Sequence, residues 1–433
     1  MARALLAWIN DQHIGTLQED NGIWAFAYSP QWLAHPDRFP LCPGLPLQDG
    51  LQRDGATHRP AQWYFDNLLP EEGQRTLLAK SANVDANDAF ALLAHYGAES
   101  AGSVTLLTEG ASQPPGPVHP LPDPDLSRRI RHMPKIPLSQ EARKRMSLAG
   151  AQHKLAVIFQ DDALFEPEGG TASTHILKPD HPDIAYAHSV TNEWFIMNLA
   201  KRVGLNVPPV WRRYVPEPVY LIQRFDRQRS ANGWHRIHSI DACQLLGLDK
   251  TYKYLAGSVE RLAELADRCL VPVVARRMLF QWLAFNALVG NTDAHLKNIS
   301  FLVRPEGVQL APFYDLLSTA VYDTQSFDQD KWPAGTSLAW PIGPSARMAS
   351  LTRDTLVAAG VTMGIKPASA GQMLDRFRRS LVTAADVLYQ EVEQQNQGLI
   401  ELHPELRQTF AGELRCLRAI RSVIIGDMNQ RLA

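Results

Sequence analysis

Gly-Asn-Thr-Asp-Ala-His-Leu-Lys-Asn (290–298) places Asp293 and Asn298 in one short run, and Leu-Ala-Pro-Phe-Tyr-Asp (310–315) returns a second carboxylate, Asp315, after an apolar stretch. Aspartate, four residues, asparagine, then a later aspartate is the spacing of a phosphoryl-transfer site. One carboxylate receives the proton of the attacking hydroxyl; the amide and the second carboxylate hold magnesium against the phosphates of ATP. The residues between explain how the two ends meet. Ile299–Val303 and Val308–Ala311 read as strands, and Arg-Pro-Glu-Gly (304–307) supplies a turn, so a hairpin carries the chain back to its start. Upstream, Pro272 to Val289 has apolar residues at helical spacing, with proline at its beginning and Gly290 as terminator.

The 433 residues allow two or three domains, and 45% apolar with 20% charged residues is ordinary globular composition. With 43 basic and 45 acidic side chains, no global field draws the chain to nucleic acid or to an anionic membrane. Cys42, Cys243, Cys269 and Cys416 are scattered, which predicts reduced thiols in a cytoplasm rather than a disulfide scaffold or zinc site. No segment reads as a secretory signal or a membrane span.

Residues 1–110 read as a mixed α/β accessory subdomain: strands over 4–9, 13–17 and 23–28 with turns at Asn10-Asp11 and Asp20-Asn-Gly, then helical spacing over 63–69 and 88–96. Residues 111–125 are dense in proline and read as a stiff linker with little to pack. Residues 126–225 are rich in strand signals, and 226–433 are mainly helical. Helices are expected over 373–397, stopped by Gly398, and over 405–425, stopped by Gly426. The expected fold class is α+β, a two-lobed protein-kinase-like fold with a mixed α/β amino-terminal subdomain and a mainly helical carboxy-terminal lobe.

The smaller lobe offers the phosphate-binding groups. Thr-His-Ile-Leu-Lys (174–178) is a strand ending in Lys178, a point charge suited to the α and β phosphates. Glu193, near the start of a helix over 192–203, is placed to orient that lysine. Ser-Leu-Ala-Gly-Ala-Gln-His-Lys (147–154) is rich in small residues whose backbone N–H groups approach an anion closely. Tyr-Leu-Ile-Gln-Arg-Phe-Asp (220–226) passes from an apolar strand to charge, as a hinge that bonds adenine through its backbone does.

These segments, with Phe-Asp-Asn-Leu-Leu-Pro (65–70), Gly-Ser-Val-Thr-Leu (102–106) and Asp-Ala-Cys-Gln (241–244), resemble the HipA family of bacterial serine/threonine-protein kinase toxins over nearly the whole chain. The resemblance implies Asp293 as proton acceptor, Asn298 and Asp315 as magnesium ligands, and Lys178 as an ATP ligand. It implies a phosphate-covering loop of Ala149, Gly150, Ala151, Gln152, His153 and Lys154, adenine contact at Gln223, Arg224 and Phe225, and a nucleotide site lined by His295 and Tyr314. Ser147 matches the family's inactivating autophosphorylation site. The sequence departs from the family at His153 and Gln223, where glutamate is frequent.

The same resemblance implies ATP and Mg2+ as cofactors and a HipB-like helix-turn-helix antitoxin as partner, with DNA contacted through that complex. It implies a serine of an aminoacyl-tRNA synthetase as acceptor, such as the glutamyl enzyme, with translation arrest and dormancy as outcome. Two other readings remain open at this point: a small-molecule kinase, because phosphate machinery does not encode the acceptor, and an idle pseudokinase that strengthens an antitoxin's repression.

Overall fold

The computed structural model describes residues 2–146, 148–150, 152–230 and 233–433. Its contacts divide the chain into two compact units. The first is Met1–Pro179, Leu221–Tyr252 and Ser300–Ala311; the second is Asp180–Tyr220, Lys253–Ile299 and Pro312–Ala433.

The first unit opens as a meander. Strands β1 (Arg3–Ile9), β2 (Gln12–Asp20) and β3 (Ile23–Tyr28) pair antiparallel, with β4 (Gln52–Arg53) and β5 (Val104–Leu107) completing the order β4-β3-β2-β1-β5. The β2–β3 turn is Asn21-Gly22, both at positive φ, 52° and 79°. That pair suits the left-handed backbone such tight hairpins require. Short helices, Pro60–Asp66, Glu72–Ala82 and Ala89–Tyr96, add the α component, the last capped by the Asp88 carboxylate.

A second sheet holds β6 (Pro115–Pro120), β7 (Leu155–Gln160), β8 (Ala163–Gly169) and β9 (His175–Pro179), with β11 (Pro218–Gln223) beside β9, in the order β11-β9-β7-β8-β6. β6 lies inside the proline-dense stretch expected to be a linker. Proline lacks the ladder donor, and β6 sits at the sheet edge where it pairs on one side only, with β8. The stretch is extended as proline demands, but it is part of the sheet.

Behind these strands lies a buried charge cluster. Glu99 accepts from Lys144 at 2.8 Å, Arg224 at 3.0 Å, Arg227 at 2.8 Å and Arg236 at 2.9 Å. Asp226 accepts from both arms of Arg224, at 2.9 and 2.7 Å, and from the Gly102 N–H at 2.7 Å. Burial alone would raise the Glu99 pKa, but the four cations outweigh it and hold the carboxyl well below the usual range. Burial pushes Lys144 down to about 8, with Glu99 opposing. The cluster ties residues 99–102 to the segment before the phosphate loop and to the strand end after β11.

In the second unit the helix Pro272–Val289 is buried along most of its length and ends where expected, with Gly290 left-handed at φ 66°. Pro367–Leu402 is one 36-residue helix that runs through Gly398. The carboxy-terminal segment is helical over Arg407–Ala419, widens to a π turn over Ile420–Ile425, and continues through Gly426 to Arg431. Neither glycine terminates its helix: Gly426 is right-handed, and both helices have buried apolar stripes whose packing outweighs the roughly 1 kcal/mol cost of glycine. Arg212, on β10 (Val210–Tyr214), staples the helix Ser189–Arg202 to the last two of these, donating to Thr191 Oγ1 at 3.1 Å, Asn396 Oδ1 at 3.0 Å and Glu413 Oε2 at 2.9 Å.

Replacing Glu99 by glutamine leaves four buried cations facing one carboxylate fewer, so Glu99→Gln is expected to cost about 3–5 kcal/mol of stability. Urea unfolding monitored by circular dichroism checks this; an unshifted midpoint would contradict it.

Candidate active site

The hairpin Ser300–Arg304/Gly307–Leu310 pairs Phe301 with Leu310 and Arg304 with Gly307, and Ala311 N–H donates to the Ser300 carbonyl at 2.9 Å. Its two ends are therefore adjacent, and the chain re-enters the second unit at Pro312 close to where it left after Ile299. Asp315 is thereby returned toward the Asp293–Asn298 loop.

That loop starts from the end of the buried helix. Ala320 N–H donates to the Gly290 carbonyl at 2.9 Å, and Thr292 N–H donates to Thr319 Oγ1 at 2.6 Å. Asn291 donates to Asn286 Oδ1 at 2.8 Å and accepts from the Asp293 N–H at 3.0 Å. The Asp293 carbonyl accepts from the His295 N–H at 2.8 Å and from Asn298 Nδ2 at 2.9 Å. Both backbone polar groups of Asp293 are thus fixed, while its side chain stays 42% exposed. The Asn298 amide spends its nitrogen inward, which leaves its Oδ1 as the atom to meet a hard cation.

Asp315 follows Tyr314, whose hydroxyl donates to the Lys297 carbonyl at 2.8 Å. Its backbone is left-handed, φ 57°, a conformation that costs a non-glycine residue about 1–2 kcal/mol and that aspartate tolerates better than most. Asn192 stabilises this turn: its amide donates to the Ser318 carbonyl at 3.0 Å and accepts from the Ser318 N–H at 2.8 Å. Burial pushes the Asp293 carboxyl above its ordinary range, opposed by His295, the Tyr254 hydroxyl and Lys253, while the Asp315 charge adds to the rise. Burial also pushes the Tyr220 hydroxyl well up, aided by the charges of Glu193 and Asp315. Asp293, Asn298, Asp315, Tyr314, His295 and Glu193 therefore share the second unit.

His295 is buried, its Nε2 4.0 Å from Asp293 Oδ1, and its ring meets that of Tyr254 edge-on at 5.0 Å. Tyr254 also donates a hydrogen bond to Asp293 Oδ1. Sequence reasoning missed Tyr254 and Asn192. The first sits in Lys-Thr-Tyr-Lys-Tyr-Leu (250–255), which has no motif spacing; the second adjoins Glu193 and was readable only as part of Thr-Asn-Glu.

The remaining predicted residues belong to the first unit. Lys178 is buried near the end of β9. The phosphate loop passes Gly150 at φ 107°, which forms a parallel bridge to Pro70, and the Glu71 N–H donates to the Gly150 carbonyl at 3.3 Å. The Lys154 ammonium donates to the Ala149 carbonyl, His153 is buried, and Gln152 is half-buried. Ser147 and Ala151 lie outside the described residues. Gln223 ends β11; Arg224 N–H donates to the Thr174 carbonyl at 2.9 Å, and its guanidinium belongs to the Glu99 cluster. Of Gln223, Arg224 and Phe225, the arginine side chain is committed to the core. All four cysteines are buried and none is in a disulfide. Among the described residues no helix is long and apolar enough to cross a membrane, and no group of three or more His, Cys, Asp or Glu is placed to hold a metal ion. A pair of oxygen ligands, Asn298 and Asp315, fits magnesium nonetheless, because that ion takes few protein ligands and completes its shell with phosphates and water.

If Asp293 accepts the proton, it acts only when ionised, and its raised pKa places the acid limb of activity above the ordinary aspartate value of 3.8. A pH profile of kcat/KM for Mg-ATP, which reports the free enzyme, is expected to fall on acidification at a pH above 3.8; a limb at or below that value contradicts the assignment.

Comparison with known proteins gives the family of the chain. The model of the HipA N-terminal domain matches residues 5–107, and that of the HipA-like C-terminal domain matches residues 146–385. A putative kinase, Y4mE, of Sinorhizobium fredii is 35% identical over 81% of this chain and 84% of its own length. The serine/threonine-protein kinase toxin HipA of Shewanella oneidensis is 34% identical over 73% of this chain and 75% of its own. A solved complex of the Shewanella oneidensis HipA, HipB and operator DNA contains a chain that superposes with TM-score 0.78 at 28% identity, covering 98% of both chains. The chain belongs to the HipA family of serine/threonine-protein kinase toxins.

Proposed function

We propose that this chain transfers the γ-phosphate of ATP, with Mg2+, to a serine of a protein, that an aminoacyl-tRNA synthetase such as the glutamyl enzyme is the acceptor, and that translation arrest and dormancy follow. The observation that carries the reading is the loop closed by Asn298 on the Asp293 carbonyl, with the left-handed Asp315 returned beside it. Asp293 takes the proton of the acceptor hydroxyl as its oxygen bonds to phosphorus and the bond to the β,γ-bridging oxygen breaks, leaving ADP. Asn298 Oδ1 and the Asp315 carboxylate hold Mg2+, which when bound neutralises phosphate charge. Lys178 contacts the phosphates, residues 149–154 cover them, Gln223–Phe225 meet adenine through backbone groups, and His295 and Tyr314 line the site. Catalysis then comes from positioning and charge neutralisation.

A HipB-like helix-turn-helix antitoxin is the proposed partner, with operator DNA reached through it, as in the assembly of the structural relative. Within the basic run Arg128–His132, Arg128 pairs with Glu141 at 2.6 Å and Arg129 with Glu166 at 2.7 Å. Autophosphorylation of Ser147 as an off-switch is part of the same proposal.

Asp293→Ala and Asp315→Ala are each expected to lower phosphoryl transfer at least about 100-fold with the fold retained. Phosphoproteomics of cells briefly expressing the chain beside its Asp293→Ala form reads both loss and acceptor. Equal phosphorylation by the two proteins would reject the residue roles, and the lack of any Asp293-dependent protein phosphosite would reject a protein acceptor.

A further inference from the structure

A general base must lie within hydrogen-bond reach of the hydroxyl it deprotonates. At Asp293 that place already holds a hydroxyl. Tyr254 donates to Asp293 Oδ1 from a segment with no part in the catalytic loop. The backbone of the aspartate is held independently of this bond, its N–H by Asn291 and its carbonyl by Asn298 and His295. The tyrosine is 37% exposed, its ring edge-on to His295 at 5.0 Å, with the Lys253 ammonium 5.4 Å from its centroid. The next residue, Leu255, is 84% exposed.

We propose that Tyr254 is an acceptor-specificity residue: its hydroxyl stands in for the acceptor serine at Asp293 and is displaced when a folded acceptor docks, so that water is disfavoured as an acceptor. This rests on the kinase reading above. In the suppressed side reaction a water oxygen bonds to the γ-phosphorus, the bond to the β,γ-bridging oxygen breaks, and the water proton passes to Asp293, giving ADP and phosphate. Water reaching the half-exposed carboxylate must displace a hydroxyl already bound there and gains nothing else. A protein acceptor covers Leu255 and the tyrosine ring as it does so, and that burial offsets the lost bond.

The test is the ratio of phosphate released into water to phosphate transferred to protein, measured with the full chain and radiolabelled Mg-ATP, with and without acceptor lysate. Tyr254→Phe removes only the hydroxyl. It is expected to raise acceptor-free hydrolysis roughly ten- to hundredfold, the factor corresponding to one hydrogen bond to a charged group, with Mg-ATP affinity unchanged by calorimetry. Hydrolysis that depends on Asp293 but is unchanged in Tyr254→Phe overturns the inference alone. Hydrolysis and transfer falling together also overturn it, and assign Tyr254 to holding Asp293 in place. An Asp293→Ala protein that hydrolyses ATP at the wild-type rate overturns the kinase reading and this inference with it.

Discussion

The bond from Asn298 Nδ2 to the Asp293 carbonyl is the constraint on which the chemistry depends. It closes the loop that leaves the buried helix at Gly290, turns the asparagine oxygen outward, and leaves the aspartate carboxylate as the exposed end of an otherwise fixed residue. A loop built this way spends its backbone groups on itself. Neighbouring segments then supply what it lacks: Thr319 and Ala320 hold its beginning, Tyr314 holds Lys297, and Asn192 pins the turn after Asp315. Rigid placement is what phosphoryl transfer asks of a protein, because the charge is carried by the nucleotide and the metal.

The first unit solves a different problem, that of keeping a glycine-containing loop in place without a helix to carry it. Residues 70–71 bridge Gly150, and Glu99 gathers Lys144, Arg224, Arg227 and Arg236 behind the sheet. Both anchors come from the region matched by the HipA N-terminal domain model, so that region is bound by polar contacts to the segments flanking the phosphate loop. Such clusters are costly to bury and costly to break.

Much of this was legible in the residues. The meander of β1–β3, the helix stopped by Gly290 and the hairpin that returns Asp315 each follow from short-range pattern: alternation, turn residues, a proline and a glycine at the right ends. What escaped was decided by long-range packing. Gly398 and Gly426 look like terminators locally, yet their helices continue because the buried stripes on either side outweigh a glycine. The proline-dense stretch looks like a linker, yet a sheet edge accepts it. The Arg224 side chain carries no local sign of its partner, because its guanidinium answers to Glu99, 125 residues away in sequence. Tyr254 and Asn192 had no spacing to betray them, since their partners are defined only once the catalytic loop has folded.

A structure with magnesium and a non-hydrolysable ATP analogue tests the central claim most directly. Asn298 Oδ1 and an Asp315 oxygen are both expected to touch the ion, with Asp293 on the γ-phosphate side. A nucleotide bound with its metal touching neither Asn298 nor Asp315 would contradict it.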